Sequence, residues 1–520
     1  MNLGEEGGLD HYSYHQRDGL EEKLCAAFEK VLNVEKVEPE DNFFELGGDL
    51  LSGGKIILEM NLEDLSIIEI FQGETPKRIA LLYRDKIIGK DDDITEEERE
   101  LSARREAHSI PRVQINVIDF QLFSPMAPMW TFPFLLSFGA EADVERIYNA
   151  ARKVIEWHTI FSTIYEFDRN CVLQQRFDPS SKVELVVEHM SDEEFEKIKS
   201  EPSAPFKILG GPMIRLRMIV TESDTYLLMT VHHVVMDSES IRIIFNNLVN
   251  AYLGEELVLD TYYTYLAVED ALSYTAAYKE AFKYYKENYI GIDWCENLTP
   301  DKKDFGNVMA TYVIGHKCTP AMLQEFEKNC KILKHGLFDA VVVLTLAKLS
   351  GKRNILTSFV FADRVSKQKQ TACGMLEKMI PMGVCLDKCE TLADLYKYIK
   401  RKTSEGVGNC AYDWGILREI PYINDIISID YIKFSDREYP SLSKIGARLI
   451  ALDSHNKTAL HRTMLKITEM PETVEIRLSY METCYSEERI KEFSDLLTRY
   501  TNQLIEIKNP EEVRLAELLR

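Results

Sequence analysis

Apolar residues recur at helical spacing from Leu20 to Asn33, with Leu20, Leu24, Phe28 and Val31 on one face, which predicts an amphipathic helix. A loop ending in Gly47-Gly48 separates it from a second apolar stretch, Leu50 to Met60. Asp64 is placed to cap a short helix carrying Leu65, Ile68 and Phe71. Thr75-Pro76 then gives a cap residue followed by proline at the first helical position, and opens a helix with Ile79, Leu82 and Tyr83. Four short helices in about seventy residues predict a small bundle, with a core near the lower limit for an independent fold.

The pattern changes twice more. Gly89 to Glu106 is mostly charge and reads as a solvated linker. From about Pro111, helical and strand periods alternate. Asp143 caps a helix through Val144, Ile147, Ala151 and Val154, and Ile214, Leu216 and Met218 alternate with arginines as in a strand. Tyr226 to Val231 is a nearly continuous apolar strand, Ser240 to Tyr252 returns to helix, and Glu487 to Ile505 is a closing helix. The expectation is a mixed α/β body whose length suggests two lobes.

Composition narrows the function classes. The chain has 520 residues, 45% hydrophobic and 28% charged, as expected for folded domains with a real core. Its net charge of −23 argues against a grip on nucleic acid or an anionic membrane. No apolar run reaches the roughly 18 residues of a membrane span, and Met1 to Asp10 lacks the order of a signal peptide. Ten scattered cysteines read as reduced thiols of a cytoplasmic protein.

Candidate chemistry concentrates at His232-His233-Val234-Val235-Met236-Asp237, between a strand and a helix. Neighbouring strand residues point to opposite faces, so one histidine at most faces a cavity. That disfavours a two-histidine metal site and favours a single working imidazole, with a carboxylate four residues on that orients the loop. Taken alone, the string fits a structural histidine pair equally well. Gly48 to Lys55 has the wrong spacing for a phosphate loop, with Ile56 where Ser or Thr is needed. Neither HExxH, GxSxG nor a strand-led GxGxxG is found, so metal and nucleotide sites have no support.

At two places the sequence resembles a carrier protein followed by a condensation domain of nonribosomal peptide synthetases. Asp41-Asn42-Phe43-Phe44-Glu45-Leu46-Gly47-Gly48-Asp49 matches nine positions of the carrier signature DNFFELGGDS, and His232 to Ser238 is similar to HHxxxDG. Fainter likenesses follow in family order. They lie at Ser124 to Trp130, at Trp157-His158 with Ser162-Thr163, at Tyr262 to Val268, at Gly374 to Pro381 and at Asn409 to Trp414. The resemblance implies a small all-α four-helix carrier domain at 19–87 and a charged linker at 88–110. A two-lobed α/β chloramphenicol-acetyltransferase-like condensation domain would follow, with lobes at 111–290 and 291–520. His233 would accept a proton from the amine, or position it, as it attacks a thioester at the lobe interface. His232 and Asp237 would hold the loop, and Ser238, Arg364, His158 and Asn409 would have structural or tunnel-lining roles.

The chain departs from the family at informative positions. Leu50 occupies the place of the serine that takes the phosphopantetheine arm, and Ser52 lies about 200° further round the helix. A carrier without that hydroxyl binds no covalent cofactor, so phosphopantetheine is expected on partner carriers. Gly53 and Gly54 should weaken the same helix by roughly 1 kcal/mol each. Trp157 and Ser162 replace two arginines, Ser238 the motif glycine, Thr264 an aspartate and Val268 a tryptophan. Arg364, preceded by Asp363 instead of glycine, is the candidate partner of Asp237. Nothing resembling an adenylation domain is seen, so other synthetase proteins, a separate adenylation domain and loaded carriers are the expected partners. The leading expectation is amide formation in trans. The alternatives are a non-catalytic scaffold, a CoA- or carrier-dependent O-/N-acyltransferase and, less favoured, an epimerase.

Overall fold

A computed structural model describes residues 19–48, 50–62, 65, 67–87, 107–128, 130–201, 203–272, 275–303, 308–364, 367–411, 425–433, 439–450, 452 and 462–520. Asp64, most of the charged linker and Trp414 lie outside the described residues.

The first unit contains α1 (Leu20–Leu32), α2 (Leu50–Met60), α3 (Ile67–Gly73) and α4 (Pro76–Ile87). Its core is aromatic: the Phe43 ring lies 5.5 Å from Phe28 and 5.0 Å from Phe44, and Phe44 lies 5.5 Å from Phe71. The signature loop is thus itself a core plug. Asn42 braces it by accepting from the Phe44 amide at 2.9 Å and donating to Glu74 at 2.8 Å. Gly47 has φ +85, and a Cβ on Gly48 would strike the Phe43 ring, so both glycines are dictated by the turn. Helix α2 is intact through Gly53-Gly54. A Cβ on Gly53 would fall 2.5 Å from Ile67 Cδ1, so the helical propensity lost there permits close α2–α3 contact. Thr75 caps α4 as expected, accepting from the Arg78 amide at 3.3 Å.

The second body opens with β1 (His108–Ser109), which pairs with β4 (Leu173–Phe177) and through it with β3 (Thr163–Phe167). His108 is buried and its Nδ1 lies 2.8 Å from Asp270, so residues 108–110 belong to this body and not to the linker in which the sequence reading placed them. Helix α5 (Arg112–Phe123) follows, then β2 (Thr131–Ser137) and α6 (Val144–Trp157), which Asp143 caps at 3.0 Å. A five-stranded sheet is built from β5 (Leu185–His189), β6 (Ile214–Val220), β7 (Thr225–His232), β2 and a late strand, β12 (Arg448–Ile450), in the order β12-β2-β7-β6-β5. Helix α7 (Ser238–Leu253) packs beside α6 on its apolar face, and α8 (Tyr262–Leu272) carries Asp270.

A second sheet is six-stranded: β10 (Lys378–Cys385), β9 (Asn354–Phe361), β11 (Ser428–Lys433), β13 (Thr463–Glu469), β14 (Val474–Met481) and β8 (Met309–Val313), in that order. Around it lie α9 (Pro320–Cys330), α10 (Lys334–Ser350), α11 (Leu392–Gly408) and α12 (Glu487–Leu504). Helix α10 is buried from Gly336 to Ala347, apolar there but for Asp339 and Thr345, which marks it as the central helix of this lobe. Strand β12 lies in the 291–520 half of the sequence, yet pairs with β2 of the first sheet. The chain thus crosses back between lobes to cover a sheet edge.

The bundle is seated on the second lobe. Helix α3 packs on α11, and the Lys400 ammonium of α11 lies 4.3 Å from the Phe44 ring centroid and 2.5 Å from Glu74. Lys331 reaches Glu45 at 3.8 Å. All ten cysteines are free, and among the described residues no helix is long and apolar enough to cross a membrane.

Candidate active site

Strand β7 ends at His232, where the backbone turns through a short 3₁₀ segment, His233–Val235, before Asp237 caps α7. The turn sends the two histidines into different surroundings. His232 is fully buried. Its Nδ1 accepts from the Val234 amide at 3.2 Å, which leaves Nε2–H to donate to Gln121 Oε1, also at 3.2 Å. Burial, with a smaller contribution from the neighbouring His233, pushes its pKa down to about 3, so this ring stays neutral. Gln121 in turn donates to the carbonyl of Pro125 at 3.1 Å, holding the loop after α5.

His233 is half-buried, and its ring centroid lies 5.4 Å from those of Trp130 and Phe132. Its Nδ1 lies 2.7 Å from the Met236 carbonyl. A carbonyl only accepts, so Nδ1 carries the proton of the neutral ring and Nε2 keeps a lone pair. Among the described residues nothing hydrogen-bonds Nε2. The imidazole is therefore oriented by its own turn and keeps one basic nitrogen available.

Asp237 is buried and saturated. Arg364 Nη2 lies 2.6 Å from Oδ1 and 2.8 Å from Oδ2, Ser240 contributes its amide at 2.9 Å and its hydroxyl at 2.7 Å, and the Leu376 amide donates at 3.0 Å. A carboxylate so engaged is a fastening and not a base. Arg364 Nη1 also donates to the Lys369 carbonyl at 2.7 Å, which ties the 369–374 segment into the same knot. Ser240 Oγ lies 2.8 Å from the Gly374 carbonyl and receives the Gly374 amide at 3.0 Å. The two lobes are stitched together directly behind His233.

The remaining sequence candidates lie apart from that imidazole's contacts. Exposed Ser238 starts α7 and donates its amide to Glu377 at 3.3 Å. Buried His158 is held by Asn247 at 2.8 Å, with Asp260 3.9 Å away, and so braces α6 against α7. Asn409 closes α11, donating to the Glu405 carbonyl at 2.8 Å. Leu50 is the first residue of α2, and an alkyl side chain offers no oxygen to a phosphopantetheine arm, so the attachment chemistry does not fit this position. Sequence reasoning missed Gln121, Ser240, the Met236 carbonyl and Glu377. Gln114 and Gln121 did leave a signal, as buried amides two helical turns apart on a helix with a buried apolar face.

Comparison with known proteins shows the family and the fold. Residues 109–515 match the condensation-domain family, and residues 22–82 match the phosphopantetheine-attachment-site family. Surfactin synthase subunit 2 of Bacillus subtilis (strain 168) is 24% identical over 402 residues, 74% of this chain and 11% of that protein. Tyrocidine synthase 3 of Brevibacillus parabrevis is 21% identical over 520 residues, 96% of this chain and 8% of that protein. The chain thus spans about a tenth of the length of these curated relatives. Among solved structures, the X-domain and OxyB complex from teicoplanin biosynthesis superposes with a TM-score of 0.67 at 16% identity, covering 83% of this chain and 98% of that one. The first condensation domain of the calcium-dependent antibiotic synthetase, in complex with a substrate analogue, gives 0.61 at 13% identity, covering 79% and 98%. These likenesses establish the two-lobed fold.

Proposed function

Since the chain belongs to the condensation-domain family and carries a carrier-type bundle ahead of that domain, we propose that it joins an acyl or aminoacyl thioester donor to an amine acceptor. The observation that carries this reading is the Nδ1–Met236 hydrogen bond, which fixes His233 with Nε2 free to act as base. The amine nitrogen adds to the thioester carbonyl and loses its proton to Nε2. Collapse of the tetrahedral intermediate expels the thiolate, which recovers that proton as thiol, leaving the amide. His232, through Gln121, and Asp237, through Arg364, keep the turn in place.

The donor is delivered in trans. Leu50 cannot be loaded, and the bundle that bears it rests on α11 through Lys400, Phe44 and Glu74. The partners are then separately loaded carriers of other synthetase proteins, supplied by an adenylation domain elsewhere, in the cytoplasm. The bundle's seat on α11 also supports a second reading, a docking or scaffold member of such an assembly. The test is product formation from a separately loaded donor carrier and an amine, comparing the wild type with His233→Ala. Equal yields from both would remove the catalytic reading and leave the scaffold.

A further inference from the structure

The two sheets repeat one strand pattern. In the first, β2 pairs antiparallel with β7, β7 antiparallel with β6, and β6 parallel with β5. In the second, β8 pairs antiparallel with β14, β14 antiparallel with β13, and β13 parallel with β11. Strand β8 is thus the counterpart of β2. The outer edge of β2 is closed by β12, which runs antiparallel to it. The outer edge of β8 is open, and among the described residues it ends the sheet.

This edge lacks the features that keep natural sheet edges apart. From Val308 to Ile314 it reads Val-Met-Ala-Thr-Tyr-Val-Ile, without charge, proline or glycine, in a chain of net charge −23. Val308 is 41% exposed, Tyr312 36% and Val313 62%. The Ile314 amide donates to the Ile476 carbonyl at 2.9 Å, and the Val308 carbonyl accepts from the Glu482 amide at 3.0 Å. By the alternation of an antiparallel ladder, Ala310 and Tyr312 likewise turn their backbone groups toward β14. Met309, Thr311 and Val313 therefore turn theirs outward, onto the open edge.

We infer that the β8 edge is a self-pairing surface whose occupant is β8 of a second copy of this chain, with a two-fold axis at Thr311. Two identical strands related by a two-fold axis are antiparallel, the direction in which β12 covers β2. The axis sets Thr311 opposite Thr311, and Met309 of each copy opposite Val313 of the other. Every outward amide and carbonyl of the strand then meets a partner, and the Met309 and Val313 side chains pack across the pair. Charge favours the same strip, because two copies this acidic repel each other least along a strand with no charged residue. The inference is independent of the reaction proposed for His233.

Sedimentation velocity on the full chain, from roughly 1 to 100 μM, reads the pairing over the range in which a weak dimer dissociates. The wild type should pass from monomer to dimer. Val313→Lys, an edge lysine that leaves the backbone intact, should raise the dissociation constant at least tenfold. In a Cys171→Ser background, which removes an exposed native thiol, Thr311→Cys should form an intermolecular disulfide on oxidation, its Cα lying about 5.5 Å from its copy. Tyr312→Cys, which the register sets opposite Ala310, should not. A wild type that stays monomeric throughout overturns the inference, as does a dimer that Val313→Lys leaves unchanged. Disulfide formation at both cysteines, or at neither, overturns it as well.

Discussion

Arg364 Nη2 lies 2.6 Å and 2.8 Å from the two carboxylate oxygens of Asp237, so a side chain from the second lobe grips the residue that caps the first lobe's α7. Removing the arginine strands a buried carboxylate. Arg364→Ala should cost about 3–5 kcal/mol in urea unfolding. Arg364→Lys should recover only a fraction, because a single ammonium cannot serve both Asp237 and the Lys369 carbonyl. A loss below about 1 kcal/mol for the alanine variant would show that Asp237 is satisfied without it.

Much of this was legible in the chain. The capped helices at Asp143 and Thr75, the strand leading into His232 and the helix after Asp237 are local matters, set by periodicity and cap chemistry. Arg364 was legible because it stands in a family motif. What local pattern cannot carry is long-range contact. Glu377 sits 139 positions from Ser238, whose amide it accepts, and no spacing links them. Lys400 lies on an amphipathic helix where a lysine reads as solvent-facing, yet it covers Phe44. Strand β12 is three residues long, too short for an alternation to declare itself.

The two histidines should separate by NMR. His233 is held by the Met236 carbonyl with its proton on Nδ1, whereas His232 accepts at Nδ1 and carries its proton on Nε2. Nitrogen-15 shifts of the labelled rings should therefore report opposite tautomers. His233→Ala should lower turnover by roughly a hundredfold or more with an unchanged circular dichroism spectrum, and the same tautomer at both rings would contradict the geometry.

Acid should test His232 separately. Its pKa is about 3 when folded, against an ordinary value of 6.5, so between those limits the unfolded chain binds one proton more than the native one. Stability then rises with pH across that window and is lost on acidification, by up to a few kcal/mol from this group. His232→Gln cannot titrate. Its unfolding free energy should fall less steeply than that of the wild type between pH 6.5 and 4, and parallel profiles would place the acid sensitivity elsewhere.

The seat of the bundle rests on Lys400. Burial lowers the pKa of its ammonium and the Glu74 carboxylate raises it, the former dominating, while Phe44 offers its ring face. Lys400→Glu sets two carboxylates against each other and should expose α3 and the facing turns of α11 to faster hydrogen exchange. The double exchange Glu74→Lys with Lys400→Glu should restore part of the protection. Unchanged exchange in Lys400→Glu would mean that the apolar contacts between α3 and α11 suffice without the ion pair.

Leu50 offers the sharpest test of what the bundle has lost. It is the first residue of α2, where the helix terminus favours a phosphate, and the glycine turn and aromatic plug before it are intact. On the proposed reading the fold of the attachment site is retained and its nucleophile is missing. Incubated with coenzyme A and a broad-specificity phosphopantetheinyl transferase, the wild type should gain no mass. Leu50→Ser should gain one phosphopantetheine, and more completely when combined with Lys400→Glu, which frees the bundle from α11. A wild-type gain abolished by Ser52→Ala would move the attachment point one half-turn along the helix. The attached bundle would then feed its own condensation domain.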